Sequence, residues 1–272
     1  MAGYGIVFFV AALVTYALTF PVRRLAIRVG AIVVPDERRV HAQPTPTIGG
    51  AAMFCGFIAA LVVALFIPQF RSLFDNSTEA LGIAIAGAII FVVHIIDDRR
   101  GLSAPAKVAG QVLAGSALVH LGVTMFYFRV PFAGTIVISP DLAPLVTVLW
   151  VIIIANAINL IDGLDGLAAG IVAIAALAFF LYSDRLFKAG VLDPDNVGPL
   201  IAVITCGLCV GFLPHNFHPA RIFMGDSGAM LLGLLLASST LVVSGRSDDP
   251  FSGQTFFFFA PRKGRQIGRA HV

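Results

Sequence analysis

Two adjacent carboxylates, Asp97 and Asp98, follow the apolar run FVVHII at 91–96, a setting in which nothing facing lipid favours them. A carboxylate in hydrocarbon costs roughly 2.5 to 3.5 kcal/mol even on lenient insertion scales, so the pair implies a site that offsets the cost. Two further segments have the same character. NAINLIDGLDGLAAG (156–170) and PHNFHPARIFMGDSGAM (214–230) join HIIDDRRGLSAPAK (94–107) in combining carboxylates with glycine and, in two of the three, asparagine. Carboxylates converging from separate helices suit a hard divalent cation, and Mg²⁺ is typically held by one or two carboxylates together with substrate phosphates. The natural inference is a metal-bridged diphosphate site.

In the second segment Asn156, Asn159, Asp162 and Asp165 recur every third residue, and Gly163 and Gly166 each follow an aspartate. This spacing places polar groups along one side of a helix entry, with glycines that let a ligand approach the backbone. The plainer alternative, two Asp-Gly turns joining two spans, leaves both asparagines unexplained. In the third segment Gly225-Asp226-Ser227-Gly228 opens an apolar run, so the N–H groups of a helix N-terminus are expected to help hold a phosphate. Capping by Asp226 or Ser227 is compatible with that. His215 and His218 share an i, i+3 spacing, but with no thiolate and a proline interrupting they read as interfacial hydrogen-bonding groups rather than zinc ligands. His94 and His120 read as members of packed helix surfaces.

The elements that must position these groups are membrane helices. The 272 residues are 58% hydrophobic and 12% charged, about half the charge of a soluble domain. Apolar stretches long enough to cross a hydrocarbon core occur near 4–22, 49–68, 80–96, 106–126, 142–160, 164–182, 198–214 and 227–244, with a ninth cut short near Phe256 to Ala260. Helices are the expected form, because open sheet edges do not cross lipid. The first span lacks a basic leader and reads as retained rather than cleaved. Cys55, Cys206 and Cys209 sit in apolar runs and read as buried small residues, although the last two imitate a redox pair. Basic residues are spread thinly, which argues against a nucleic-acid partner.

Lysine and arginine set the sidedness. The odd-numbered loops hold Arg23, Arg24, Arg28, Arg38, Arg39, Arg99, Arg100, Lys107 and Arg221; the even-numbered ones hold Arg71, Arg129, Arg185, Lys188 and Arg246. The odd loops, with Asp97, Asp98, Asp162, Asp165 and Asp226, are therefore expected in the cytoplasm and the N-terminus outside. The remaining acidic loop residues read as solvated charge. The fold class expected is an all-α polytopic membrane protein of about eight complete transmembrane helices plus a truncated ninth, a single domain over 1–260. Pro261 to Val272, PRKGRQIGRAHV, reads as translated sequencing-adapter DNA without a structural role.

Five motifs in order, PDERRVHAQPTPTIGG (35–50), Asp97–Asp98, KVAGQ (107–111), NAINLIDGLDGL (156–167) and NFHPARIFMGDSG (216–228), resemble those of the polyprenyl-phosphate N-acetylhexosamine-1-phosphate transferases. That family includes the phospho-MurNAc-pentapeptide translocase and the enzymes that begin O-antigen, teichoic acid and arabinogalactan linker synthesis. The first motif, with its histidine, looks more like the UDP-GlcNAc branch. The resemblance implies transfer of a sugar-1-phosphate from a cytoplasmic UDP-N-acetylhexosamine to polyprenyl phosphate in a bacterial cytoplasmic membrane, with release of UMP. By similarity, Asp97 or Asp98 deprotonates the lipid phosphate or attacks as a nucleophile, and Lys107 neutralises phosphate charge. Asp226, with Asp98, holds Mg²⁺, for which Mn²⁺ is a substitute. Asn156, Asn159, Asp162, Asp165, His41 and Asn216 form the substrate-binding set. A homodimer is compatible with such a chain.

Two departures stand out. Arg99-Arg100-Gly101 follows the paired aspartates where relatives usually carry another acidic or amide residue. The chain also ends before a later histidine-rich cytoplasmic loop, so little turnover is expected from the 272 residues alone. An ion-coupled transporter is the competing reading, but it calls for charges near mid-span and internal repeats, and the aspartates sit at span ends.

Overall fold

The computed structural model describes residues 2–33, 44–130 and 134–244. His41, the curtailed ninth span at 256–260, the domain end at 260 and the adapter-like tail all lie outside these. The described residues form an all-α polytopic membrane architecture. Helix α1 covers Ala2–Arg28, α2 Gly50–Leu65, α3 Arg71–Asn76, α4 Glu79–Arg100, α5 Ala104–His120, α6 Ala143–Ile161, α7 Leu167–Lys188, α8 Gly198–Asn216 and α9 Gly225–Ser244. Six of them (α1, α4, α6, α7, α8 and α9) are long and apolar enough to cross a membrane, and α2 with the Pro68–Asn76 segment, bent by 91°, makes a seventh candidate.

The expected span at 106–126 is shorter in the structure. Helix α5 stops at His120, and Gly122 turns the chain at φ 97. Beyond it the aromatic and β-branched run pairs as a hairpin, β3 (Tyr127–Val130) against β4 (Gly134–Val137), with Tyr127 opposite Val137. Residues that alternate in this way favour a pleated surface over a helix. A second small pair joins β1 (Ile32–Val33) to β2 (Thr45–Pro46).

Helices α8 and α9 form the centre: 83% of the apolar window of each is buried, against 22% for α1 and α6. In lipid the hydrophobic effect does not drive helices together, so small residues that permit close backbone approach carry the packing. Gly211 of α8 lies directly against the Ala12 backbone of α1, leaving no room for a methyl group. Across the bundle the rings of Phe54 and Phe91 stack at 4.4 Å and join α2 to α4. Cys206 and Cys209 are buried in α8, as expected of apolar packing residues, whereas Cys55 on α2 is exposed on the bundle surface, contrary to the expectation.

Candidate active site

The C-terminal ends of α4, α6 and α8, the N-terminal ends of α5 and α9, and Val33 and Thr47 at the β1–β2 pair surround a cavity of about 550 Å³. Its lining includes Asp97, Asp98, Lys107, Asn159, Asp162, Asn216 and Asp226, so seven of the residues singled out from the sequence meet in one place.

Helix α4 ends at Gly101, whose N–H donates to the Asp97 carbonyl. The side chain of Asp97 turns back on this end: Oδ1 accepts from the Leu102 N–H at 2.7 Å, and Oδ2 pairs with the Lys107 ammonium. Lys107 also reaches Asp226 Oδ2 at 3.3 Å and so bridges a carboxylate of α4 and one of α9. Asp98 does something different. Its Oδ1 accepts from the Asp226 N–H at 2.8 Å and its Oδ2 from the Ser227 N–H at 3.1 Å. A side chain of α4 thus caps the N-terminus of α9, where free N–H groups and the helix dipole favour an anion. Those two N–H groups are committed to Asp98, not offered to a phosphate as the sequence suggested. Gly225 makes the approach possible: it sits at φ 72, and a methyl group there would lie 2.7 Å from Asp98 Oδ2 and 2.9 Å from Thr47 Oγ1.

Asp162 follows the last residue of α6. Burial first, then the charges of Asp226 and Asp98, push its carboxyl up to about 8. Four carboxyl groups and one ammonium line this cavity, so acidic groups outnumber basic ones there. Among the described residues no group of three or more His, Cys, Asp and Glu forms a ready-made metal cage.

Asn156 and Asp165 are not brought into the cavity lining. Helix α6 ends at Ile161, so the three-residue spacing that suggested one polar face breaks there. Asn156 points its amide to Gln111 Oε1 and to the Ile152 carbonyl, both at 2.7 Å. Asp165 Oδ2 accepts from the Ala220 N–H at 3.0 Å and from His218 Nδ1 at 2.9 Å, pinning the loop after α8. Asn216 braces the same region: Oδ1 accepts from Gly166 N–H and Nδ2 donates to the Ile222 carbonyl, both at 3.1 Å. His215 donates to the Tyr16 carbonyl at 3.1 Å between the rings of Tyr16 and Phe20. Both histidines are thus hydrogen-bonding groups. His94 is fully buried in α4, with Nδ1 donating to the Ile90 carbonyl at 2.8 Å.

Thr47, Val33, Leu164 and Phe223 also line the cavity and were not singled out from the sequence. Three backbone bonds bring Thr47 and Phe223 in: Phe223 N–H to the Pro46 carbonyl and Gly49 N–H to the Phe223 carbonyl, both at 2.9 Å, and Gly50 N–H to the Met224 carbonyl at 2.8 Å. Between them Ile48 takes φ 70, a conformation that is a strained outlier for a β-branched residue. The signal was present in the TPTIGG stretch, whose glycines allow α2 and α9 to start side by side. A methyl group on Gly50 would strike the backbone of Gly228.

Comparison with known proteins shows what the chain is similar to. The model of glycosyl transferase family 4 matches residues 80–244. A Mycobacterium tuberculosis protein named decaprenyl-phosphate N-acetylglucosaminephosphotransferase is 46% identical over 238 residues, 86% of this chain and 59% of the relative. A Bacillus subtilis relative named "Probable undecaprenyl-phosphate N-acetylglucosaminyl 1-phosphate transferase" is 35% identical over 238 residues, 87% of this chain and 62% of its own length. A phospho-N-acetylmuramoyl-pentapeptide-transferase of Desulforudis audaxviator is 38% identical over 235 residues, 79% of this chain and 68% of the relative. The chain thus spans about three fifths of the length of the mycobacterial relative.

Proposed function

This chain belongs to glycosyl transferase family 4, and from that membership and the cavity's chemistry we propose that it transfers N-acetylglucosamine-1-phosphate from UDP-N-acetylglucosamine to a polyprenyl phosphate, releasing UMP. The observation that carries the reading is the convergence of Asp97, Asp98, Lys107, Asn159, Asp162 and Asp226 on one cavity at the helix ends, where a lipid phosphate and a soluble nucleotide sugar can both reach. The names of the mycobacterial and Bacillus relatives favour the GlcNAc donor.

Basic residues support a cytoplasmic placing of the cavity. Arg23, Arg24, Arg28, Arg99, Arg100, Lys107 and Arg221 gather toward the cavity end, while Arg71, Arg129, Arg185 and Lys188 belong to the opposite connections among the described residues. The excess toward the cavity is the positive-inside pattern. It supports an outside N-terminus, with α5 and the bent α2 segment counted as spans beside the six longer helices, in a bacterial cytoplasmic membrane.

The donor set suits Mg²⁺. It is all hard oxygen, from Asp226, Asp98, Asp162 and Asn159, and too sparse to complete a cage, as expected of an ion that shares its shell with phosphates and water. The raised carboxyl of Asp162 marks a place where a cation relieves repulsion. When bound, the ion would neutralise phosphate charge and polarise the diphosphate. Asp226 and Asp98 would hold it, with Asp162 alongside.

The chain's own residues supply position and charge, which is most of what phosphoryl transfer asks. Lys107 faces phosphate oxygens from between Asp97 and Asp226. Asp97 holds the ammonium in place, and Asp98 holds the start of α9 and with it Asp226. A phosphate monoester loses its second proton near pH 6, so the lipid phosphate is largely dianionic at neutral pH and needs little help from a base. That favours direct attack by its oxygen on the β-phosphorus of UDP-GlcNAc: the new P–O bond forms as the bond to UMP breaks, and UMP leaves with the electron pair. Phe223, the aromatic group of the lining, offers a face on which a base would stack.

The test is transfer of labelled GlcNAc-1-phosphate to undecaprenyl and decaprenyl phosphate in membranes, with Mg²⁺, with Mn²⁺ and with neither. It is run on the 272-residue chain and on a version extended with the remaining length of the mycobacterial relative. Metal-dependent labelled lipid is the expected outcome; product only from another UDP-sugar moves the donor, and no product from any donor sinks the reading.

A further inference from the structure

One helical turn deeper than the cavity lies a second set of polar contacts that lines no part of it. Gln111 follows Lys107 by four residues on α5, Asn156 precedes Asn159 by three on α6, and Met230 follows Asp226 by four on α9. Gln111 is 1% exposed and joins them: its Oε1 accepts from Asn156 Nδ2 at 2.7 Å, and its Nε2 donates to Met230 Sδ at 3.9 Å. Residues four apart share a helix face, so Gln111 and Lys107 point from α5 to the same side. Helix α5 packs along α4 and α6, whereas toward α9 it reaches out with these two long side chains, Lys107 to Asp226 and Gln111 to Met230.

We propose that Gln111 is a positioning residue: held by Asn156 from α6, it fixes the rotation and depth of α5 so that Lys107 meets Asp97 and Asp226 together. The bond is local enough to act on Lys107 through a single turn of helix. On the Gln111 side it is buried, so an amide that loses its partner there is costly. It also gives Asn156 a part that its absence from the cavity lining would otherwise leave open. Only the catalytic consequence rests on the transfer reading above; the placing of Lys107 does not.

The test reads Lys107 directly. The complete 272-residue chain in lipid nanodiscs is labelled with a water-soluble amine reagent, and the rates at Lys107 and Lys188 are followed by mass spectrometry. Asp97→Asn sets the scale for a released ammonium. Gln111→Leu and Asn156→Leu are each expected to raise the Lys107 rate roughly 3-fold and by no more than about 20-fold, the range that polar pairs within membranes support. Lys188 stays unchanged. The double variant should do no more than either single one, and the exchanged pair, Gln111→Asn with Asn156→Gln, should restore slow labelling. An unchanged Lys107 rate, an equal rise at Lys188, or additive effects would overturn the proposal. The same variants are carried through the transfer assay: slower transfer with an unmoved donor KM is expected where the chain is active. Labelling that responds while no variant or parent transfers sugar phosphate would keep the positioning role and discard the transfer reading.

Discussion

The two ends of the bundle treat charge in opposite ways. At the cavity end, polar groups are at least partly buried and joined between elements far apart in the chain: Asp98 to the start of α9, Lys107 on α5 to Asp226, Asp165 to the Ala220 turn. At the other end, several bonds are made between neighbours in sequence. Lys188 pairs with Asp184 one turn away at 2.6 Å, and Asp193 accepts from the N–H of Asp195 at 2.9 Å. Local pairs at an exposed end need only water and a helix, while the cavity's pairs need four or more helix ends in register. That difference separates solvated charge from a site.

The sharpest way to break the contrast is Asp226→Asn against Asp184→Asn. The first is expected to lower sugar-phosphate transfer on the order of 10³-fold, the scale at which a single electrostatic group acts in a transition state. The second, at the far end of α7, leaves transfer unchanged, and equal losses would show that the cavity carries no special chemistry.

Next in size is the pH response. The Asp162 carboxyl is raised by burial and by Asp226 and Asp98, from an ordinary 3.8 to about 8. The folded chain therefore binds more protons than the unfolded one between about pH 4 and 8, and stability declines as pH rises through that window. Asp195, at the opposite end, is held below the ordinary range by hydrogen bonds from Ser72 and Asn76, so its small contribution is present above that range and lost as pH falls. Thermal unfolding in detergent from pH 5 to 8 should show a decline that Asp162→Asn flattens and Asp195→Asn leaves alone. A decline that survives Asp162→Asn would place the buried charge elsewhere.

The two lysines compare the ends at smaller scale. Lys107→Met leaves Asp97, whose side chain is 4% exposed, without its ionic partner and with only the Leu102 N–H, and should cost about 3 kcal/mol, the lower end for a broken buried pair because the ammonium is itself partly exposed. Lys188→Met removes an exposed pair and should cost about 0.5 kcal/mol. Denaturant melts of both variants measure the gap, and a difference below about 1 kcal/mol would mean that the cavity pair is screened like a surface one.

What was legible in the sequence follows the same divide. Carboxylates at span ends all facing one side could be read from hydropathy and loop charge, because both are local properties. So could His215 and His218 as hydrogen-bonding groups, whereas His120, read as part of a packed surface, is exposed. The length of α5 could not: an apolar window does not separate the helix ending at His120 from the hairpin that begins at Tyr127. The regular spacing of Asn156, Asn159, Asp162 and Asp165 misled for a related reason, since a three-residue repeat means one face only while the helix continues, and α6 stops at Ile161. Thr47 and Phe223 join the cavity through backbone bonds between segments some 175 residues apart, and no periodicity in either segment announces such pairing.

Two glycines make the finest comparison. Gly190, just past α7, and Gly225, just at the start of α9, hold nearly the same backbone conformation, φ 69 and φ 72, yet a methyl group on Gly190 would meet nothing within 4 Å while one on Gly225 would press on Asp98 and Thr47. Left-handed strain is common to both, so Gly190→Ala should cost about 1 kcal/mol. Gly225→Ala adds the displacement of the Asp98 carboxylate from the N–H groups of Asp226 and Ser227, a loss of capping worth about a further 1 kcal/mol. The difference in melting behaviour therefore isolates the cap from the backbone strain. Transfer should follow the cap and not the strain, falling in Gly225→Ala and holding in Gly190→Ala, because only the first moves Asp226. Equal stability losses with equal activity would mean that Asp98 reaches α9 without shaping it, and the capping role would have to be given up.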